Sequence, residues 1–226
     1  MRQHLLIDAD DTLWESSIYF ERAFEEFCDL LNHPTLSRRQ IRDVLDEIEL
    51  TNIQIYGYGA ANFGRNLLEC FKRLHERELA CSEIEAVREI VRRIHDHPVV
   101  ILEGVPPTLE YLAQRHDLFL LTKGDVQEQQ RKINSSGLAT LFRAIFIVKE
   151  KDLPTYRQLV REHWLVTENA WMIGNSPKSD INPALQAGLG AVYVPHDYTW
   201  HLERHELVAD GRLHIVSRFS DLRQLF

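Results

Sequence analysis

The feature that most limits what this chain of 226 residues can fold into is a series of short apolar runs with no polar alternation inside them. Leu5-Leu6-Ile7 is the first, stopped by acids, and further runs follow at residues 118–121, 144–148, 170–173 and 191–194. Runs this short suit strands better than helices, and without a polar face they suit strands covered on both sides. Between the later runs lie helical patterns at 107–115, 126–135, 155–164 and 181–187, the last followed by Gly188 as a helix stop. Strand and helix in alternation predict the α/β class: a Rossmann-like parallel sheet flanked by helices.

One stretch breaks that rhythm. Residues 15–100 carry helix-like segments at 18–31, 38–50, 63–79 and 82–95 without a convincing strand, and the breakers Tyr56-Gly57-Tyr58-Gly59 sit inside them. The expectation is an inserted, all-helical domain at 15–100, with 1–14 and 101–226 forming the Rossmann-like core. His97-Pro98 and Gly104-Val105-Pro106-Pro107 mark the return to that core. The tail from Arg212 to Phe226 reads as a last strand and helix, with Leu222, Leu225 and Phe226 apolar.

A chain of this length with 44% hydrophobic residues buries about 70% of its unfolded surface, enough for a core without a metal or disulfide staple. The net charge of -8 argues against nucleic acid and anionic membrane as partners, since both select a basic footprint. Cys28, Cys70 and Cys81 lack the paired spacing of a zinc site or a disulfide framework and read as buried free thiols in a reducing compartment. The apolar run before Asp8 is too short for a signal peptide, and no run of about 18 apolar residues exists. The expected location is cytoplasmic.

Asp8-Ala9-Asp10-Asp11-Thr12-Leu13 follows the first strand directly. If the chain stays extended, its two-residue period turns Asp8, Asp10 and Thr12 to one side and Asp11 away. Carboxylates would then converge at a strand's C-terminal edge, where the ligand crevice of an open parallel sheet lies. Like charges so close call for a shared proton or a cation such as Mg²⁺. A calcium loop is excluded, because it needs glycine and glutamate where this chain has Leu13 and Tyr19. A turn that merely caps the helix starting near Glu15 is the bland alternative.

A strand followed by Asp-x-Asp-x-Thr-Leu resembles the first motif of the haloacid dehalogenase superfamily, and three more matches follow in order outside the helical insert. The resemblance implies that Asp8 is the nucleophile, passing through an aspartyl phosphate, and that Asp10 is the general acid and base. Leu120-Leu121-Thr122-Lys123-Gly124-Asp125 fits the second motif, which makes Thr122 a donor to the phosphoryl group, assisted by the backbone amides of Lys123 and Gly124. Thr12, beside Asp8, joins the implied phosphate-binding set. Asp125 and Glu128 have capping-box spacing, which adds a positive helix end.

The third motif is a lysine before a helix. Lys151 is favoured over Lys149 because Asp152, Pro154 and Tyr156 follow it, and its charge would offset the Asp8 carboxylate and the phosphate. The fourth reads Gly174-Asn175-Ser176-Pro177-Lys178-Ser179-Asp180, with Asn175 where the family has an acid. The implied Mg²⁺ ligands are Asp8, Asp10, Asn175 and Asp180, with one negative charge fewer than usual.

The retained acid at Asp10 points to a small phosphorylated molecule as substrate, because a leaving alkoxide needs a proton and a leaving halide does not. Asn175 and Asp180 pull toward a 2-haloacid dehalogenase, and a non-catalytic binding protein retaining the fold is the third reading. In the superfamily such an insert is a cap that selects substrate. Here Tyr56, Tyr58, Asn62 and Arg65 form an aromatic, glycine-loosened turn suited to that task, although packing between helices would explain the same residues. Nucleotide P-loop, serine-hydrolase and dinucleotide motifs fail on their glycines. His95-Asp96-His97 reads as a solvated helix end, and His196-Asp197-Tyr198-Thr199-Trp200 as a loop near the sheet's C-terminal edge that either lines the pocket mouth or is plain surface.

Overall fold

The structure, a computed structural model, describes residues 2–226. Six strands form one sheet: β1 (His4–Ile7), β2 (Asp117–Lys123), β3 (Ala144–Val148), β4 (Ala170–Gly174), β5 (Gly190–Tyr193) and β6 (Leu213–Ile215). Their order is β3-β2-β1-β4-β5-β6 and every pairing is parallel. The chain runs outward from β1 to β3, then returns to the other side of β1, so the strand order reverses between β1 and β4. Parallel sheets bind ligands beyond the strand C-termini at such a reversal.

The central strands are buried on both faces because successive side chains alternate. Leu5, Ile7, Leu118, Leu120 and Ile173 enter one core with Val105, Leu109 and Leu112 of α5 (Val105–Ala113) and Ile133 of α6 (Val126–Ser136). Leu6, Phe119, Leu121 and Met172 enter the other with Tyr156 and Leu159 of α7 (Leu153–Glu162) and Ala184 of α8 (Asn182–Gln186). Each such side chain, when fully buried, contributes about 1.5–3 kcal/mol. One outer strand differs from expectation: β3 is only half-buried. The last strand, β6, is a short exposed edge. The tail closes as a 3-10 turn, Phe219–Gln224, and not an α-helix; Phe219 and Leu222 are buried, whereas Leu225 is exposed.

The chain divides into two compact units, one made of the residues up to Ser17 and from Val99 to Phe226, the other Ile18–Pro98. The second unit is all helical, built from α1 (Ser17–Leu31), α2 (Arg38–Tyr56), α3 (Ala60–His75) and α4 (Cys81–Asp96) around Phe24, Phe27, Leu45, Leu67, Phe71 and Val87. Ser37 and Gln40 start α2 with a reciprocal capping box. The helix runs past residue 50 to Tyr56, where Gly57 stops it, because Asn52 faces inward and donates to Asn66 Oδ1 and Glu69 Oε2, both at 2.9 Å. No helix among the described residues is long and apolar enough to cross a membrane.

The cysteines divide. Cys28 and Cys70 are buried, as expected, but Cys81 begins α4 exposed. Burial pushes the Cys28 thiol up to about 11 and the Cys70 thiol up to about 12, so at pH 8 neither forms the thiolate that a disulfide reagent needs. An aromatic disulfide reagent at pH 8 is expected to titrate only Cys81 in the folded protein and all three cysteines after denaturation. Rapid reaction of Cys28 or Cys70 in the folded state would contradict the packing of the helical unit.

Candidate active site

Asp8 stands where β1 runs out. Its amide donates to Ile173 O at 2.9 Å, extending the β1–β4 pairing by one residue. The chain then coils: the amides of Thr12, Leu13 and Trp14 all converge on the Ala9 carbonyl, and Asp11 takes a positive φ of 60°. The extended-chain alternation expected across residues 8–12 therefore ends at Asp8, and the three acids part company. Thr12 folds back and donates to Asp8 Oδ2 at 2.9 Å. Asp11 accepts from the Ser16 and Ser17 amides at 2.9 and 3.0 Å. Asp10 turns to Trp14, Gln129 and Lys132.

Lys151, just before the Asp152 cap of α7, lies buried between two carboxylates, with its ammonium 2.5 Å from Asp8 Oδ1 and 2.5 Å from Asp180 Oδ1. Burial alone would lower its basicity, but Asp180 and Asp8 outweigh that and hold Lys151 above the ordinary lysine value. Burial and the nearby Asp8 raise the Asp180 carboxyl, against the pull of Lys151. Asp180 is brought in by the Pro177–Ile181 π-turn, and its Oδ2 accepts from the Ser176 amide at 2.9 Å. This approach requires Gly174, because a Cβ there would lie 2.2 Å from Asp180 Oδ2. Tyr156 Oη anchors the turn on Ser179 O at 2.9 Å.

Asn175 is held at its nitrogen end. Its Nδ2 donates to Thr199 Oγ1 at 2.9 Å, and its Oδ1 lies 3.4 Å from Thr12 Oγ1, whose one hydrogen goes to Asp8. Thr199 gives its own hydroxyl hydrogen to His196 O at 2.9 Å, so it meets Asn175 as an acceptor. A donor is what the position asks of residue 175, and an amide supplies one where a carboxylate would not. Asp8 Oδ2 and Asn175 Oδ1 thus converge on one hydroxyl as hard oxygen donors of the kind Mg²⁺ takes. The side chains of Asp10 and Asp180, also expected as ligands, are held by Lys132 and Lys151.

Thr122, buried at the C-terminal end of β2, falls one residue beyond the level of Asp8 in the sheet register. Gly124 does not offer a free amide, as expected from sequence, because that amide donates to Val148 O at 3.2 Å. Its φ of 142° suits glycine alone. The Lys123 ammonium reaches Glu203 at 2.7 Å, Ser179 at 2.8 Å and Glu150 at 3.2 Å, while Glu203 Oε2 accepts from Ser176 Oγ at 2.5 Å. In the helical unit, Asn62 is buried and donates to Gly57 O at 2.6 Å, which fixes the α2–α3 turn, and the Arg65 guanidinium stacks 4.8 Å from the Tyr56 ring. Tyr58 falls in the same turn.

Among the described residues, the one trio of His, Cys, Asp or Glu with ligand atoms mutually within 4.8 Å is Asp11, Glu15 and His196. His196 lies 3.8 Å from Asp11 Oδ1 and 3.3 Å from Glu15 Oε2. Burial raises the Asp11 carboxyl to about 6. Sequence reasoning missed Gln129, Lys132 and Glu203, and singled out Thr199 only as part of a loop that could line the pocket mouth. For the first two a signal existed, since they lie three apart on one face of a helix beginning beside the second motif.

Two consequences can be measured. Thr199→Val keeps the shape but leaves Asn175 Nδ2 without its acceptor, and is expected to cost about 1–3 kcal/mol of folding free energy in chemical denaturation; an unchanged midpoint would show that Asn175 does not depend on Thr199. Burial pushes the Glu203 carboxyl up, but Lys123 outweighs it and holds the group below its ordinary 4.5. A depressed carboxyl stabilises the fold above its ordinary value and loses that contribution as pH falls through the folded value. Stability should therefore drop on acidification below about pH 4.5. Glu203→Gln should be less stable at neutral pH, by on the order of 3 kcal/mol for a buried partner removed, and should fall less steeply with acid. Parallel pH profiles for the two proteins would overturn this assignment.

Residues 5–194 match the model of the haloacid dehalogenase-like hydrolase family. A haloacid dehalogenase-like family hydrolase from Xanthomonas campestris superposes with a TM-score of 0.87 at 32% identity, over 99% of this chain and 91% of that one. YfnB of Bacillus subtilis (strain 168) is 27% identical over 112 residues, covering 47% of this chain and 48% of YfnB, so the alignment spans about half of that relative. The magnesium-bound structure of YfnB superposes with a TM-score of 0.69 at 16% identity, over 99% of this chain and 98% of that one. The L-2-haloacid dehalogenase of Xanthobacter autotrophicus shares the fold at 14% identity, TM-score 0.66, over 100% of this chain and 98% of that one. With the family model spanning most of its length, the chain belongs to the haloacid dehalogenase-like hydrolases.

Proposed function

We propose that this hydrolase is a Mg²⁺-dependent phosphatase that acts on a small phosphate ester through an aspartyl phosphate at Asp8. The observation that carries the reading is Asp10: an acid is retained two residues beyond the nucleophile, and Lys132, Gln129 and Trp14 all donate to it. A halide leaves without a proton, whereas an alkoxide does not leave readily without one, so an acid retained at this position serves ester cleavage.

In this reading an Asp8 carboxylate oxygen attacks phosphorus, the ester P–O bond breaks, and the leaving oxygen takes a proton from Asp10 in its neutral form, which the Lys132 contact disfavours in the free protein. Asp10 then removes a proton from water, the water oxygen attacks phosphorus, and inorganic phosphate departs with Asp8 restored. Lys151 neutralises Asp8 and the incoming phosphoryl charge from a buried position, where a fixed cation is worth more than in water. Thr122 and Thr12 donate hydroxyls, to a phosphoryl oxygen and to Asp8 respectively. Lys123 contributes its backbone amide, its side chain being engaged with Glu203. Asp8 and Asn175 would hold Mg²⁺, more weakly than two carboxylates would, and the ion would supply positive charge to the phosphoryl oxygens. Tyr56, Tyr58 and Arg65 are proposed to select the leaving group, with Asn62 shaping their turn.

The neutral Asn175 is the observation that favours the other branch, a 2-haloacid dehalogenase. Purified protein is expected to hydrolyse p-nitrophenyl phosphate with Mg²⁺, to lose that activity in excess chelator, and to lose at least about 10³-fold with Asp8→Asn, as removal of a covalent nucleophile does. Halide release from 2-chloropropionate without phosphatase activity would instead assign the dehalogenase chemistry. Undiminished hydrolysis by Asp8→Asn would sink the nucleophile.

A further inference from the structure

The fourth motif carries a neutral amide at Asn175, and an amide faces a choice that a carboxylate does not. A carboxylate offers oxygen at both ends, whereas an amide offers oxygen at one and N–H donors at the other, so it can hold a cation in only one of its two orientations. Asn175 and Thr199 are both buried, and little water is at hand to satisfy a wrong choice. The neighbours on either side make opposite demands. The Thr199 hydroxyl has two carbonyls in reach for its hydrogen, His196 O at 2.9 Å and Asn175 O at 3.5 Å. Its oxygen is thereby left to accept, and it accepts from Asn175 Nδ2 at 2.9 Å. On the far side the one hydrogen of Thr12 goes to Asp8 Oδ2 at 2.9 Å, so Asn175 Oδ1 lies 3.4 Å from the Thr12 oxygen with no hydrogen between them. By itself the Thr12 side would take the N–H end. Thr199 overrides it, and a buried acceptor is left without a donor beside an ionised carboxylate.

We infer that Thr199 is a positioning residue that locks the Asn175 amide with its oxygen toward Asp8, and so lets a neutral side chain serve as a ligand to a divalent cation. This rests on the metal of the reading above, not on which ester is cleaved. A flipped amide would turn N–H toward Thr12 and Asp8, where a cation cannot use it. Partners that orient a ligand in this way commonly matter to metal affinity almost as much as the ligand itself. The need for the lock comes from the amide alone, since a carboxylate at residue 175 would present oxygen whichever way it turned. That difference separates an orienting role from a general bracing of the loop.

The test is direct binding of Mn²⁺, which accepts the same oxygen ligands as Mg²⁺ and whose free ion is counted by electron paramagnetic resonance, with Mg²⁺ as the competitor. Wild type is compared with Thr199→Val, Thr199→Ser, Asn175→Asp and the double variant Asn175→Asp with Thr199→Val. Thr199→Val is expected to bind Mn²⁺ about threefold to tenfold more weakly, the worth of one hydrogen bond, while Thr199→Ser keeps the hydroxyl and stays near wild type. In the Asn175→Asp protein, adding Thr199→Val is expected to change affinity by no more than about twofold, because both ends of residue 175 are then oxygen. Thr199→Ala serves the same comparison if Thr199→Val folds poorly. An equal loss in the two backgrounds would show that Thr199 only braces the loop and would overturn the inference. Unchanged binding by Thr199→Val would overturn it too, and both results leave the metal reading standing. Wild-type protein that binds no Mg²⁺-displaceable Mn²⁺ would bring down the metal reading and this inference with it.

Discussion

The buried ammonium of Lys151, shared by Asp8 and Asp180, is the interaction around which the catalytic unit is arranged. Two carboxylates that close together in a dry site repel each other and lose hydration, and a single cation between them offsets both penalties. The neighbouring features follow from that demand. Gly174 is bare so that Asp180 can approach, the Pro177–Ile181 π-turn delivers it, and Tyr156 holds the turn from α7. Removing one partner from such a trio would leave an uncompensated buried charge, which costs several kcal/mol.

Around this trio lie two further polar networks, each built on a different loop. Lys123 and Glu203 tie the end of β2 to the segment after β5, and through Ser176 to the fourth motif. Lys132, Gln129 and Trp14 tie the first-motif turn to α6. The Lys123–Glu203 pair lies where solvent is largely excluded, so it is strong when complete and costly when broken, whereas the Asp10 side chain of the other pair is 28% exposed. The loops at the sheet's C-terminal edge are thereby fixed by side chains more than by backbone pairing, as expected of irregular segments that position chemistry on a rigid sheet.

Much of the fold was legible in the pattern of apolar runs. Runs such as Leu118 to Leu121 have no polar face to give to solvent, so they must lie inside a sheet covered on both sides, and parallel order follows from the helices between them. What misled was local. The edge strand β3 read like a central strand because composition does not reveal a strand's neighbours. Cys81 read as buried because a cysteine's exposure depends on which side of a helix start it takes.

The site divides in the same way. The sequence by itself determined the strand-end positions of Asp8, Thr122 and Asn175 and the loop position of Lys151, because each follows an apolar run whose end defines a crevice edge. Only tertiary structure decided where Asp10, Asp11 and Thr12 point, because a coiled turn replaced the extended chain and its alternation. It also decided that Gly124 spends its amide on Val148 and that Thr199 asks for an amide at residue 175. Several of those outcomes depend on partners far away along the chain, such as Lys132, 122 residues from Asp10. Apolar patterning reports which residues leave water; it carries no record of which donor meets which acceptor once they have left.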